Sequence, residues 1–381
     1  MTASAGGART NVLHVYKTAI PYTMGGVEQV LYQLTQSTAE QGFCHQVLTL
    51  HDGDRIERIE HQGVEITAVP WFLHLNSTPL SVKYLREFRR LREQTDILHY
   101  HFPFPLQDLA HLCLGGRKKP SVLSYHSDVV RQKWIKPIYT PVMHRFLGSL
   151  DAIVAASPQY AQSSQVLKRF ADKVEVIPYG LEQASYPETD PEMLEHLASH
   201  LADGFFLFVG VLRYYKGLEF LIEAARKTGL PVVIAGDGPL RDRVEMAAGQ
   251  HANIHYLGQV TDSQKSALLK QATAFVFPSH LRAEAFGISL LEAAMYGKPL
   301  ISADISTGTT YINQHQQTGL VVPPGSTDAL MAAMAELWND SQARHQYGAA
   351  ARERYLHHFT QQRMGQKYSD LYRKVQAGRR S

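Results

Sequence analysis

The feature that most constrains the fold is an alternation of strand-like and helix-like runs that is completed in the first half of the chain and restarts in the second. Apolar strand-like runs occupy residues 11–16, 45–50, 64–69, 97–100, 121–125, 152–156, 205–209, 231–235, 254–257 and 274–277. Segments whose apolar residues recur with helical spacing separate many of these runs, for example residues 27–41, 218–227 and 263–271. Strands that alternate with helices form parallel sheets covered on both faces. The sequence therefore predicts an α/β protein with two doubly wound, Rossmann-like domains.

The chain length agrees with two domains. Its 381 residues are too many for one ordinary core and suit two domains of ~150–200 residues. Pro187 and Pro191 mark a linker-like stretch between the two series of strands. We expect four parts: a flexible tail over 1–10, an N-terminal domain over 11–185, a C-terminal domain over 186–355 and a last helix over 356–381. Because ligands bind at the carboxyl ends of parallel strands, two facing domains would create one cleft.

Composition excludes several classes of protein. A hydrophobic content of 44% with 19% charged residues excludes a mostly disordered chain. Cys44 and Cys113 are too few for a disulfide framework or a zinc site, which favours a reducing cytoplasmic setting. The first ten residues lack the apolar core of a signal peptide, and no run approaches the ~18 apolar residues of a membrane span. The net charge of +3 decides nothing about partners, and we expect no nucleic acid among them.

The segment from Glu284 to Glu292 is the strongest candidate for a binding site. It follows a strand-like run and places two carboxylates eight positions apart around Gly287. A helix that begins at Phe286 would point the free N–H groups of Phe286, Gly287 and Ile288 at a phosphate beyond the strand end. Glu284 would then bind sugar hydroxyls, and Glu292 would bind a ribose. The alternative is a surface helix with a capping glutamate, since carboxylates favour helix N-termini.

Two further segments suit phosphate binding. Gly25 and Gly26 open a helix after the first strand, where the missing side chains let a ligand approach the backbone. This pair is not the dinucleotide fingerprint, and it equally fits a flexible turn. Arg213 and Lys216 follow the first strand of the second domain, where they would neutralise a diphosphate and the charge on a leaving group. The alternative is a pair of solvated surface cations.

His126 ends a strand-like run, which is a position suited to chemistry. Asp128 is a candidate base on the acceptor side, although an Asp after a strand is usually a helix cap. His99 and His101 resemble a metal motif, but no carboxylate or cysteine cluster accompanies them. We therefore expect them to form part of a cleft wall.

The two carboxylates carry a family resemblance. Glu284 to Glu292 resembles the E-x7-E signature of the retaining family-4 glycosyltransferases, and residues 293–302 resemble the helix, glycine cap and strand that follow it there. This resemblance spans nearly the whole chain after Asn11 and implies the GT-B fold, whose last helix crosses back onto the first domain. It also implies a retaining transfer that needs no divalent metal.

The resemblance implies roles for the candidate residues. His126 would lie beside the transferred sugar, and Gly25 and Gly26 would form the glycine loop of the family. Most relatives have an arginine where this chain has Val211, so Arg213 would supply the missing cation. Neither Glu284 nor His126 is assigned as a nucleophile, because such transfers are commonly described as front-face displacements in which the leaving phosphate helps to deprotonate the acceptor.

Residues 124–133 and 210–217 are similar to those of bacterial mannosyl- and rhamnosyltransferases that build O-antigen or related surface polysaccharide on a lipid-diphosphate carrier. That subgroup favours GDP-mannose or GDP-D-rhamnose as the donor. The nucleotide base, the sugar and the linkage do not follow from the residues themselves. Two alternatives stay open: a nucleotide-sugar epimerase or hydrolase of the same fold, and a non-catalytic scaffold that binds nucleotide sugars.

The interval 81–150 is basic and indicates the acceptor side. It holds twelve Lys or Arg residues against five Asp or Glu residues, and the candidates Arg131 and Lys133 lie within it. Such a face would attract anionic lipid headgroups, so we expect peripheral association with the inner face of the cytoplasmic membrane. The alternative is a solvated helix face.

Overall fold

The computed structural model describes residues 9–23, 25–75, 78–129 and 136–380, which belong to two compact units. Unit 1 combines residues 1–156 and 164–180 with 361–381, and unit 2 combines residues 157–163 with 181–360. The domain boundaries predicted after residues 185 and 355 therefore lie after residues 180 and 360. The shift has a local cause, since the Leu181 amide donates a hydrogen bond to the Phe359 carbonyl at 2.9 Å. The predicted tail over 1–10 lies mostly outside the described residues.

The strands of the described residues are numbered in chain order. They are β1 (Thr10–Val15), β2 (Phe43–His51), β3 (Glu57–His61), β4 (Val64–Pro70), β5 (Leu73–Leu75), β6 (Thr78–Leu80), β7 (Ile97–Phe102), β8 (Ser121–Tyr125), β9 (Ala152–Ala155), β10 (Val174–Val176), β11 (Phe206–Val209), β12 (Val232–Ala235), β13 (Ile254–Gly258), β14 (Ala274–Phe277), β15 (Leu300–Ala303) and β16 (Gly319–Val322).

The α-helices are numbered in the same way. They are α1 (Gly26–Ala39), α2 (Val82–Glu93), α3 (Pro105–Cys113), α4 (Lys136–Ser149), α5 (Pro158–Ser163), α6 (Gln165–Lys168), α7 (Pro191–His200), α8 (Leu218–Thr228), α9 (Arg241–Gln250), α10 (Asp262–Gln271), α11 (Ile288–Met295), α12 (Thr309–Ile312), α13 (Thr327–Asn339), α14 (Ser341–His358) and α15 (Gln361–Arg380). Within the residues that the structure describes, none of these helices has both the length and the apolar character that a membrane span requires.

Unit 1 is built on an eight-stranded sheet in the order β10-β9-β8-β7-β1-β2-β4-β3. All its neighbouring strands are parallel except β3, which pairs antiparallel with β4 at the edge. The central strands are buried on both faces, which explains their continuous apolar runs. Helix α15 belongs to this unit, where Tyr368 and Tyr372 are buried.

Unit 2 is built on a six-stranded parallel sheet in the order β13-β12-β11-β14-β15-β16. Numbered within the unit, this order is 3-2-1-4-5-6, so the winding reverses between β11 and β14. A ligand of such a sheet binds beyond the carboxyl ends of the strands at the point of reversal. In unit 1 the corresponding reversal lies between β1 and β7. The predicted fold class, with two Rossmann-like parallel sheets, is confirmed.

Some elements were not anticipated. Strand β3 is a half-exposed edge strand of mostly charged residues, and β5 and β6 form a short antiparallel hairpin. Helix α3 begins with Pro105 at its first position, where the missing N–H costs nothing. Strand β3 lacks a strong apolar period, and β5 and β6 are too short to show one, so apolar periodicity does not predict these three strands.

Candidate functional site

The loops after β11 and β14 meet at the point where the winding of unit 2 reverses. The His280 amide donates to the Tyr215 carbonyl at 3.0 Å, which joins the two loops. Gly217 has a positive φ of 71°, and a side chain there would collide with the main-chain carbonyl of Pro278. A glycine is therefore required for the loop after β11 to lie against the end of β14. This packing fixes the position of Lys216.

Lys216 and Glu284 form an ion pair at this point. The Lys216 Nζ lies 2.5 Å from a carboxylate oxygen of Glu284, and the two side chains are only 10% and 12% exposed. The same ammonium lies 4.6 Å from the centre of the Phe277 ring, which further stabilises a cation there. The structure thus brings two of the predicted site residues into contact.

The end of β11 also lies beside the first turn of α11. A side chain placed at Gly210 would begin 3.9 Å from both the Lys216 Nζ and the Ser289 Oγ. Helix α11 begins at Ile288, two residues later than predicted, because Gly287 has a φ of 99° and caps the helix in the left-handed region. Amides in the first turn of a helix have no partner within the helix, so they remain available to an anion.

Phe286 does not present its side chain to this site. It is only 3% exposed, and its ring centre lies 6.2 Å from that of Phe359. Its predicted role in donor binding is therefore confined to the main chain.

Glu292 has partners that the sequence did not indicate. One of its carboxylate oxygens accepts hydrogen bonds from the Tyr186 hydroxyl and from the Lys265 Nζ, both at 2.8 Å, and Glu292 is only 4% exposed. Burial acts to lower the pKa of Lys265, but the charges of Glu292 and then Asp262 outweigh it, so this pKa lies above its usual value. Lys265 looks like an ordinary surface lysine of a polar helix, and no signal in the sequence could have identified it.

Arg213 differs from Lys216 in its surroundings. It is exposed and precedes the short 3₁₀ turn Tyr214–Lys216, whereas Lys216 is buried. Its predicted role as a replacement cation stays a prediction.

In unit 1, Gly25 caps helix α1 and Gly26 is its first residue. A side chain at Gly25 would come within 2.7 Å of the Glu28 carboxylate, so the glycine makes room for a buried acid. Burial, and then the nearby Glu28 charge, raise the pKa of Tyr16 above its usual range. The Tyr16 ring lies 6.0 Å from that of His126. Glu28 was missed because a glutamate near a helix N-terminus is usually only a favourable charge.

His126 lies at the end of β8 and is 6% exposed. Its Nε2 is 3.0 Å from the Nδ1 of His101, and its Nδ1 is 2.5 Å from the Tyr179 hydroxyl. Burial, and then the charge of Lys17, lower the pKa of His126 to about 3. The ring is therefore neutral near pH 7 and has both nitrogens in hydrogen bonds.

His99 and His101 are fully buried, so the expected role in a cleft wall is wrong. They point to one face of β7 and stack on each other, with ring centres 4.6 Å apart. Together with His14 they bring nitrogen atoms within 4.8 Å of one another, which is the one grouping in the described residues that could hold a metal. Alternation along a strand explains why the spacing of two puts both rings on the same side.

Asp128 is anchored rather than free. One of its carboxylate oxygens accepts from the Tyr125 hydroxyl at 2.9 Å and from the Ser164 hydroxyl at 2.7 Å. The other two candidates on the acceptor side, Arg131 and Lys133, lie outside the described residues.

Two family models match the chain. Glycosyltransferase Family 4 matches residues 24–184, and Glycosyl transferases group 1 matches residues 191–354.

Curated relatives match over nearly the full length. The chain is 48% identical to D-rhamnosyltransferase WbpZ of Pseudomonas aeruginosa, over 92% of this chain and 92% of that protein. It is 44% identical to O-antigen chain mannosyltransferase C of Escherichia coli, over 95% of this chain and 97% of that protein. Among solved structures, sucrose-phosphate synthase of Thermosynechococcus elongatus is similar in fold, with a TM-score of 0.80 at 20% identity over 97% of this chain and 100% of the other.

Proposed function

The chain belongs to the glycosyltransferases that join a Family 4 domain to a group 1 domain, and from this membership we propose that it moves mannose or D-rhamnose from a GDP-sugar to a lipid-linked saccharide. The pathway we propose is the synthesis of O-antigen or a related lipopolysaccharide. Two relatives with over 40% identity support this choice, one named a D-rhamnosyltransferase and the other an O-antigen chain mannosyltransferase. The structural observation that carries the proposal is the Lys216–Glu284 pair at the reversal point of unit 2.

Unit 2 would bind the donor. A diphosphate at the end of β11 would meet the Lys216 ammonium and the first-turn amides of α11, two groups that favour phosphate charge. As Lys216 turns to the phosphate, the Glu284 carboxylate becomes available to sugar hydroxyls. Glu292 would bind the ribose, and Tyr186 and Lys265 would hold its carboxylate in place.

We propose that the transfer retains the anomeric configuration. The bond between the sugar C1 and the leaving phosphate oxygen breaks while the acceptor oxygen bonds to C1 on the same face. The acceptor proton passes to the leaving phosphate, whose charge Lys216 stabilises. In unit 1, the neutral His126 would orient the transferred sugar through its main-chain carbonyl or through packing of its ring, since both ring nitrogens already have hydrogen-bond partners.

The proposed reaction uses no divalent metal. Glu284 and Glu292 each pair with a lysine, Lys216 and Lys265 respectively, so these carboxylates already have a cationic partner. The lysine at the phosphate position would supply the positive charge that a metal supplies elsewhere. Transfer at an unchanged rate in excess EDTA would support this part of the proposal, and loss of transfer that Mg²⁺ restores would oppose it.

We propose that unit 1 binds the anionic surface of a membrane through the start of helix α2. Lys83, Arg86 and Arg89 are exposed, and Val82 beside them is 71% exposed. The Ser81 hydroxyl donates to the Pro70 carbonyl at 2.8 Å, which brings this helix start close to Phe72, itself 67% exposed. Cations around exposed apolar side chains suit an interface with anionic lipid.

Two neighbouring arginines are less suited to this surface. Arg90 pairs with Glu87 at 2.9 Å, and Arg92 donates to the Gly115 carbonyl at 3.0 Å with its side chain only 14% exposed. They support the packing of α2 rather than a membrane contact.

The proposal is tested by supplying GDP-mannose or GDP-D-rhamnose with a lipid-diphosphate-linked saccharide and determining the product by mass spectrometry and NMR. One added hexose with the anomeric configuration of the donor is expected. Donor consumption without acceptor would indicate the epimerase or hydrolase alternative, and binding of GDP without turnover would indicate a scaffold. An inverted product would overturn the retaining mechanism alone.

A further inference from the structure

An unbroken row of hydrogen-bonded side chains crosses the sheet of unit 1 beneath helices α1 and α15. We call it the histidine chain. It runs from the Tyr179 hydroxyl to His126 Nδ1 (2.5 Å), from His126 Nε2 to His101 Nδ1 (3.0 Å), from His101 Nε2 to His14 Nδ1 (3.2 Å), from His14 Nε2 to His45 Nδ1 (3.0 Å), and from His45 Nε2 to the Thr38 hydroxyl (2.8 Å).

The sheet order explains why these rings meet. His45, His14, His101 and His126 lie on or directly after β2, β1, β7 and β8, which are consecutive neighbours in the sheet. His14 is paired in register with His99, and His101 lies two residues further on the same face. The row therefore runs across the strands on one side of the sheet.

The four histidines of the chain are buried and neutral. Each is at most 6% exposed. Burial is the largest cause that lowers the pKa of every one of them, to about 3 for His45 and His126. A neutral imidazole has one N–H donor and one acceptor nitrogen, so each ring can donate in one direction only.

Thr38 determines that direction. Its hydroxyl lies 2.7 Å from the Leu34 carbonyl, and two oxygens approach so closely only with a proton between them. A carbonyl has no proton, so the single hydroxyl proton of Thr38 lies on this bond. The contact between Thr38 and His45 must then be donated by His45 Nε2. A ring that donates from Nε2 must accept at Nδ1, so His14, His101 and His126 each donate from Nε2 in turn. At the end of the row, the Tyr179 hydroxyl donates to His126 Nδ1.

We propose that the histidine chain locks His126 in the Nε2–H tautomer and in one ring orientation, so that His101, His14, His45 and Thr38 act as positioning residues for sugar transfer. The inference rests on the proposed function only where it takes His126 as a residue of the active site. The row is a lock and not a path for protons, because it ends at a main-chain carbonyl that cannot take up a proton. Aligned hydrogen bonds of this kind polarise and strengthen one another.

The histidines of this cluster are better suited to hydrogen bonds with one another than to binding a metal. A metal held by His14, His99 and His101 would need free ring nitrogens. His99 already has hydrogen bonds to the Tyr372 hydroxyl at 2.6 Å and to the Ser124 hydroxyl at 2.8 Å. Both nitrogens of His14 and of His101 are used by the histidine chain, so an ion would break several buried hydrogen bonds.

The direct test is long-range ¹H–¹⁵N NMR of the full chain labelled at the histidine side chains. The expected spectrum has His126, His101, His14 and His45 all neutral and protonated at Nε2. The measurement is independent of transferase activity, so it can fail or succeed whatever the proposed function proves to be. His126 protonated at Nδ1 or charged at pH 7 would overturn the inference, as would one equivalent of tightly bound metal in the purified protein.

Thr38→Val removes the hydroxyl that sets the direction and keeps the shape of the side chain. We expect the His126 ring to become a mixture of tautomers and kcat to fall about fivefold, the factor associated with one hydrogen bond of ordinary strength, with the donor KM unchanged. Thr38→Ser should restore both. Thr35→Val is the matched control, since Thr35 is a buried threonine of the same helix whose hydroxyl bonds to the Tyr32 carbonyl.

Unchanged tautomers in Thr38→Val would overturn the inference, and so would a loss of activity in Thr35→Val as large as that in Thr38→Val. If Thr38→Val does not fold, the wild-type spectrum still decides the direction of every bond in the chain.

Discussion

The two units place their candidate residues in opposite electrostatic surroundings. In unit 1, His126 ends a row of neutral rings whose pKa values burial holds well below the usual range. In unit 2, the candidates are full charges in partly buried pairs, Lys216 with Glu284 and Lys265 with Glu292. His126 and the Lys216–Glu284 pair both lie beyond the carboxyl ends of parallel strands, so the fold alone does not account for the difference.

The roles proposed for the two sites would explain the difference. A diphosphate is highly charged, and a buried lysine that already has a carboxylate partner can exchange that partner for phosphate at little cost in desolvation. A sugar beside an incipient cation needs orientation without added positive charge. A histidine kept neutral by burial and fixed by hydrogen bonds provides that.

The largest effect that separates the units is their response to acid. Six buried histidines of unit 1 have lowered pKa values, so they gain protons only on unfolding as pH falls below 6.5: His14, His45, His99, His101, His111 and His126. Asp108 acts in the opposite direction, because burial raises its pKa to about 8. At pH 5 a net uptake of about five protons should lower the free energy of unfolding by ~7 kcal/mol per pH unit. Stability from these histidines is complete above pH 6.5 and is lost progressively below it.

Tryptophan fluorescence can follow the units separately. Trp338→Phe leaves Trp71 and Trp134, which both belong to unit 1, and the complementary double variant leaves only Trp338 in unit 2. Unit 1 should unfold first in urea at pH 5. His45→Gln should reduce the proton uptake of unit 1 by about one. Equal acid sensitivity of the two units would remove the contrast between them.

The next largest effect should follow from loss of the Glu284 charge. Glu284→Gln keeps the shape but removes the partner of Lys216, so kcat should fall by about 10²–10³, the loss typical when one preorganised group is removed. Glu292→Gln should mainly raise the donor KM. Glu223→Gln is the control, because Glu223 is a half-exposed glutamate of the same unit that pairs with Arg226. If steady-state kinetics of Glu284→Gln and Glu292→Gln match the control, the donor assignment is wrong.

Membrane binding should distinguish the units as well. Neutralising Lys83, Arg86 and Arg89 to Gln should weaken liposome binding by ~3 kcal/mol at low salt, since each such cation near an anionic leaflet contributes ~1 kcal/mol. Neutralising Arg226, Lys227 and Arg243 on unit 2 makes the same change in net charge and should leave binding intact. Co-sedimentation with anionic and neutral vesicles measures both. Equal losses in the two triple variants would mean that only net charge matters.

A smaller effect concerns the contribution of the Lys265–Glu292 ion pair to the stability of unit 2. Lys265 and Glu292 have side chains only 14% and 5% exposed, so either single change leaves a partly buried charge without its main partner. Lys265→Met and Glu292→Gln should each destabilise unit 2, and the double variant should be less destabilised than their sum by ~1–3 kcal/mol. Urea unfolding followed by Trp338 measures this coupling. Additive losses would show that the two residues do not stabilise each other.

Most of the architecture could be predicted from apolar periodicity, because buried parallel strands and their covering helices have a strong pattern. Helix α11 was predicted to begin at Phe286 but begins at Ile288, because the sequence does not show that Gly287 adopts a positive φ and caps the helix. Edge strand β3 could not be predicted, because its charged residues are half exposed and carry no apolar pattern.

Contacts between elements that are distant in the chain could not be predicted from the sequence. The histidine chain joins His14 to His101, 87 positions apart, and depends on β1 lying between β2 and β7 in the sheet. Several histidines inside apolar strands were a visible signal, but only the strand order brings them together. Lys265 reaches Glu292 from another helix in the same way, and nothing in its own segment indicates a buried partner.

The proposed donor site depends most on Lys216, the buried cation that would receive the diphosphate. Titration calorimetry of GDP and of guanosine with the wild type, Lys216→Met and the exposed control Arg226→Met tests this directly. We expect Lys216→Met to weaken GDP binding at least tenfold, about 1.4 kcal/mol or more, because a charge-assisted bond to phosphate is lost, and to leave guanosine binding unchanged. Arg226→Met should bind both ligands as the wild type does. Equal affinity of Lys216→Met and the wild type for GDP would contradict the placement of the donor in unit 2.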